Sequence, residues 1–276
     1  MTPGKFGCER YMEKKNITSE RGTVYYWIGG NQSKDSACIV FTHGMTADHT
    51  MFDKQVEYFS KDYTIITWDI PLHGESRPYD NFTYQNVAQD LNRILTAEGI
   101  DRVILVGQSM GGYVCQEFAI QYPNKVTAFV AVDTTPFGEC YYSKWERYIL
   151  TKAGSIASLF PYTMLVKSIA KGATRTEYAY NNLYDSVSKL SKKEIVVIMD
   201  VAYNDFLQKT ETAEFDFPVL LILGDRDNTG FVKKYNLMWS SRTGYPLEII
   251  SNAGHNSNVD NYDEFNDRVS LFLSKL

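Results

Sequence analysis

The chain has 276 residues and a formal net charge of −5, enough length for one large α/β domain with a substantial core and an insertion. Mild acidity without a Lys/Arg cluster argues against nucleic acid as the main partner. No apolar run approaches the ~20 residues of a membrane span, and the opening residues carry no apolar stretch of a secretory signal. Four scattered cysteines, Cys8, Cys38, Cys115 and Cys140, lack metal-ligand spacing. They read as free thiols in a reducing compartment, so the expected location is cytoplasmic.

Short β-rich apolar runs recur along the chain: Val24–Ile28, Cys38–Thr42, Tyr63–Trp68, Val103–Val106, Val126–Val132, Val219–Leu223 and Leu247–Ile250. Several lack polar alternation, which predicts strands buried on both faces of a parallel sheet. Between them, helical spacing marks Phe52–Phe59, Tyr84–Ala97, Met110–Gln121, Phe231–Trp239 and Tyr262–Leu276. The alternation predicts a mostly parallel, doubly wound α/β sheet. It breaks once, from Phe137 to about Phe215, in a helical stretch crowded with aromatics such as Tyr142, Trp145, Tyr148, Phe160, Tyr162 and Phe206. The expected organisation is a core of residues 1–136 and 216–276, with residues 137–215 as a helical cap over the carboxyl ends of the strands.

In "LVGQSMGGYV" (105–114), Ser109 stands in G-x-S-x-G between a predicted strand and a predicted helix, the context a nucleophile elbow requires. Small residues at the glycine positions let strand and helix approach while the serine projects from a strained turn. A serine hydroxyl needs a base. Of four histidines, His255 lies in a loop after the last predicted strand. An orienting carboxylate should precede it. "PVLLILGDRDNTG" offers Asp225 and Asp227, and alternation along an extended segment does not choose between them.

With these motifs in hand, the chain resembles the α/β-hydrolase family over almost its whole length. The resemblance implies an α/β-hydrolase fold and a Ser109–Asp227–His255 triad, the acid usually standing three residues after the strand-ending glycine, here Gly224. Asp133 is an alternative acid position in some branches. "CIVFTHGMTADHTMF" (38–52) resembles the family's His-Gly oxyanion loop, so the backbone N–H groups of Met45 and Met110 are the expected oxyanion hole. "WDIPLHGESRP" (68–78) resembles the Asp-x-Pro-Gly-His-Gly-x-Ser loop, with Leu72 where glycine is usual.

His43, Gly44, Phe137 and Phe231 are the positions expected to touch substrate. His43 and His73 also have a loop hydrogen-bonding reading, and His49 reads as surface or cap-facing. A metal site from His43, His49 and Asp53 has no carboxylate or cysteine cluster behind it. The implied activity is acyl transfer to water, without cofactor or metal, on a small-molecule ester with a hydrophobic acyl or alcohol part. Lactones, thioesters, carbon–carbon bonds or perhydrolysis would use the same triad. A ligand-binding protein on a hydrolase scaffold is the reading from outside enzymology.

Overall fold

The computed structural model describes residues 12–33 and 36–276; Cys8 and the opening residues lie outside them. Among the described residues eight strands form one sheet: β1 (Met12–Ser19), β2 (Gly22–Gly30), β3 (Cys38–Thr42), β4 (Thr64–Trp68), β5 (Val103–Gln108), β6 (Val126–Val132), β7 (Val219–Gly224) and β8 (Leu247–Ile250). Their spatial order is β1-β2-β4-β3-β5-β6-β7-β8. The β1–β2 hairpin and the β2–β4 pair are antiparallel, and every pairing from β4 to β8 is parallel.

The helices are α1 (Asp53–Phe59), α2 (Tyr84–Ala97), α3 (Met110–Gln121), α4 (Lys144–Leu150), α5 (Ala153–Ser158), α6 (Tyr162–Ala173), α7 (Glu177–Ser188), α8 (Lys192–Gln208), α9 (Val232–Thr243), α10 (Ser257–Asp260) and α11 (Tyr262–Leu273). Two hydrophobic clusters flank the sheet. Leu105, Val114, Phe118 and Trp239 belong to one, and Ile39, Phe41, Val130 and Phe265 to the other. Successive strand residues point to opposite faces, so β3 and β5, fully buried throughout, must be apolar at nearly every position. The sequence therefore lacks alternation there.

Five helices, α4–α8, lie between β6 and β7. They are tied down at several points. The Lys189 ammonium meets Asp48 at 2.6 Å, Arg77 meets Glu194 at 2.8 Å, and the Tyr84 amide donates to Asp205 at 2.7 Å. Asn182 donates to the Thr50 carbonyl at 3.0 Å. Two capping boxes, Ser143 with Glu146 and Ser191 with Glu194, fix where α4 and α8 begin.

Candidate active site

Ser109 sits between β5 and α3 with φ 49° and ψ −117°, a conformation costly for any residue with a side chain. Its amide donates to Val132 O (2.8 Å), and its carbonyl accepts from Gly112 N (2.9 Å) and Thr134 Oγ1 (2.7 Å), so neighbouring elements hold the turn. Close packing demands the flanking glycines. A Cβ on Gly111 would lie 2.1 Å from the Thr42 carbonyl oxygen, pushing α3 off β3. One on Gly44 would lie 2.0 Å from Gln108 Oε1 and 3.3 Å from Ser109 Cβ, so the His-Gly loop runs directly beside the serine.

The fold brings the three sequence-selected side chains together. Ser109 Oγ is 2.8 Å from His255 Nε2, and His255 Nδ1 is 2.9 Å from Asp227 Oδ2. Asp227 and His255 are buried, and the second oxygen of Asp227 accepts from Thr229 N at 2.8 Å. Burial works against an imidazolium at 255, but the Asp227 carboxylate outweighs it and raises the His255 pKa above its ordinary value. Burial also opposes charge on Asp227, yet the adjacent imidazole holds its pKa below the usual value. Asp225 points away. It is exposed and accepts from Ala253 N at 3.0 Å.

Met110 is the first residue of α3, where an amide has no intrahelical acceptor. Beside it, Met45 follows Gly44 in the loop against Ser109. The Met110 N–H thus lies at the positively polarised start of α3, directly after the serine, and Met45 stands in the turn that follows Gly44.

The other expected contacts divide. His43 is fully buried. Its Nδ1 donates to Gly44 O (2.8 Å) and its Nε2 accepts from Ile70 N (3.0 Å), so both ring nitrogens serve the loop. Phe137 is enclosed by Tyr84, Tyr113 and Phe206, whereas Phe231 is about half exposed and packs on Tyr235. His49 is half-buried. Its ring stacks on Trp27 at 3.4 Å and bonds Asp69 at 2.8 Å. With His43 and His49 so engaged, they do not converge with Asp53 on a common point. Among the described residues no group of three or more His, Cys, Asp or Glu could hold a metal ion. Buried His73 donates through Nδ1 to Pro71 O (3.1 Å), and Leu72 has φ 73°, the left-handed conformation that makes glycine usual there. The Leu72 side chain packs against both hydrophobic clusters, which offsets that strain.

Two supporting residues escaped the sequence reading. Gln108 donates through Nε2 to the His255 carbonyl at 2.6 Å, tying the His255 loop to the turn that carries Ser109. Its position inside G-x-S-x-G was the available signal. Asp260 accepts from Gly254 N and from the amides of Arg175 and Thr176, each at 2.8 Å, and so joins the His255 loop to the start of α7. A surface hollow lined by Arg102, Ile120, Pro123, Glu214 and Phe217 lies at the opposite, amino-terminal ends of β5–β7 and shares no residue with this cluster.

A strained serine at a strand–helix turn, on a mostly parallel sheet with a histidine and carboxylate converging on it, is the arrangement of an α/β hydrolase. The alpha/beta hydrolase fold family matches residues 38–262, and the chain belongs to it. Among characterised relatives, the chain is 26% identical to the sn-1-specific diacylglycerol lipase ABHD11 of Mus musculus, over 86% of this chain and 80% of that one. It is 23% identical to 3-oxoadipate enol-lactonase 1 of Acinetobacter baylyi, covering 94% and 97%. A thermophilic esterase from Thermogutta terrifontis has a similar structure, with TM-score 0.76, 18% identity and coverage of 95% and 98%.

Proposed function

We propose that the protein is a serine hydrolase acting on small carboxylic esters with a hydrophobic acyl or alcohol part. Ser109 is the nucleophile, His255 the general base and acid, and Asp227 the group that orients the imidazole. The continuous 2.8 Å and 2.9 Å path from Ser109 through His255 to Asp227 carries this reading. His255 takes the hydroxyl proton as Oγ attacks the carbonyl carbon. The oxyanion is held by the Met45 and Met110 amides, each such donor being worth ~10²–10³ in rate. Collapse expels the alcohol with the proton from His255, and water repeats the sequence on the acyl-enzyme. In this reading α4–α8, within residues 137–215, act as a cap over the site, and buried Cys38 and Cys115 fit a cytoplasmic setting.

A fluorophosphonate probe tests the nucleophile. It should label the wild type and leave Ser109→Ala unlabelled; equal labelling of both removes the triad from the reaction. A panel of p-nitrophenyl esters of increasing acyl length, with lactones and thioesters beside them, tests the substrate class. A preference for lactones would favour chemistry like that of the enol-lactonase relative, and a blank response across the panel would defeat hydrolysis of small esters.

A further inference from the structure

The aromatics of the insertion are not all inside it. Residues 144–162 run along the outer side of α8: Arg147 bonds the Leu207 carbonyl near its end, Gly154 abuts Asp200 at its middle, and the Tyr162 hydroxyl donates to the Leu190 carbonyl just before its start. A Cβ on Gly154 would lie 2.0 Å from Asp200 Oδ1, so α5 is pressed onto α8 through its small residues. Its large ones point away.

Two triplets at i, i+3, i+4 spacing recur eleven residues apart. These are Trp145, Tyr148 and Ile149, then Ile156, Leu159 and Phe160. The first triplet shares one face of α4, Ile156 is in α5 with Leu159 and Phe160 just past its end, and all six side chains are exposed, Trp145 at 66% and Leu159 at 81%. Six exposed large apolar side chains within one short stretch, Trp145 stacked on Tyr148, mark an interaction site.

The charge of the same segment is one-sided. Lys144, Lys152, Lys167 and Lys171 are all exposed. The one acid from residue 144 to 171 is Glu146, which is buried and bonded to Lys234 at 2.7 Å, while the chain as a whole carries −5. Lys152 lies over the Tyr148 ring at 5.4 Å. Aromatic side chains among lysines match the boundary layer of a lipid bilayer, where rings sit at headgroup level and ammonium groups meet anionic lipids.

We propose that the exposed face of α4, α5 and α6 docks onto an anionic lipid surface, lying on the bilayer without crossing it. No helix among the described residues is long and apolar enough to span. Charge complementarity selects this occupant over a second copy of the chain, which would bring two sets of lysines face to face. The acidic remainder is repelled by the same surface, so the insertion leads.

Flotation with vesicles of phosphatidylcholine alone, and of phosphatidylcholine mixed with phosphatidylglycerol, tests the proposal. The wild type and Ser109→Ala should bind the mixed vesicles equally, bind the neutral ones weakly, and lose binding at high salt. Equal binding by Ser109→Ala separates docking from hydrolysis. Each Lys→Gln change among the four should weaken binding about fivefold. Leu159→Asp and Trp145→Asp should each abolish flotation while leaving the melting temperature and hydrolysis of a soluble ester unchanged, since neither side chain is packed inside. Failure of the wild type to float with mixed vesicles overturns the proposal, as does undiminished binding by Leu159→Asp. A solution dimer that Leu159→Asp converts to monomer would assign the face to a second copy and overturn it equally.

Discussion

Asp133 accepts three hydrogen bonds from two loops: Gly224 N at 2.8 Å, Ser257 N at 3.0 Å and Ser257 Oγ at 2.5 Å. It thereby joins the end of β7, which carries Asp227, to α10, two residues after His255. Burial, and then the neighbouring Asp227 charge, push its pKa up to about 7, and its own charge adds to that of Asp227 in favouring the imidazolium. Asp133→Asn keeps the shape and removes the charge. The acidic limb of kcat/KM against pH should therefore move to lower pH, and a limb that stays put would show that His255 does not feel this carboxylate. Asp227→Asn should lower kcat by ~10⁴, whereas Asp225→Asn should stay near wild type in the same ester assay. Alternation could not separate those two carboxylates because the chain is not extended there. Asp227 N bonds back to Gly224 O at 3.1 Å, and the turn sends Asp225 to solvent and Asp227 inward.

At the scale of elements, the elbow depends on how closely β3, β5 and α3 approach. Gly111→Ala sets a Cβ against backbone oxygens of β3 and its loop, which cannot swing aside. It should cost on the order of 1–3 kcal/mol, read as a lower thermal midpoint. Gly44→Ala meets the end of the Gln108 side chain, whose amide is committed to the His255 carbonyl. Its expected signature is the reverse, a large fall in kcat with a modest loss of stability. If both variants lost stability equally and kept full kcat, the close approach would serve the fold alone. The elements around the elbow were legible because strands buried on both faces lose alternation, and α2 and α3 matched the predicted ranges. β1 was not legible. Its sequence MEKKNITS lies on a sheet edge with a single buried position, so there was little apolar signal to read. Nor could helical spacing separate inward aromatics from outward ones in the insertion. Phe206 and Tyr142 are buried while Trp145 and Tyr148 are exposed, a distinction set by which face meets α8 and the core.

Across the whole molecule the four histidines fall into two opposed pairs, and this sets how stability depends on pH. Burial lowers the pKa of His43 and His73, the latter to about 3. Burial also opposes charge on His49 and His255, but Asp69 and Asp227 outweigh it and raise both. An unfolded histidine takes up a proton below about 6.5. Folded His43 and His73 take theirs only at lower pH, so each withdraws stability as pH falls from that value. Asp133 acts in the opposite sense: it holds a proton in the fold up to about 7, whereas an unfolded aspartic acid does so only below about 4. His43 and His73 together outweigh Asp133, so stability should rise with pH between about 5 and 6.5. His49 and His255 are charged in both states below about 6.5, and the stability they add is lost only as pH rises through their raised folded values. Thermal midpoints should therefore climb from about pH 5 to a maximum near 6.5 and decline beyond it. His73→Asn keeps a donor for the Pro71 carbonyl and removes one of the two opposing groups. It should lower the whole curve through the lost packing and make its acidic slope shallower, with the alkaline decline unchanged. An acidic slope as steep as the wild type's would assign the proton uptake to other groups.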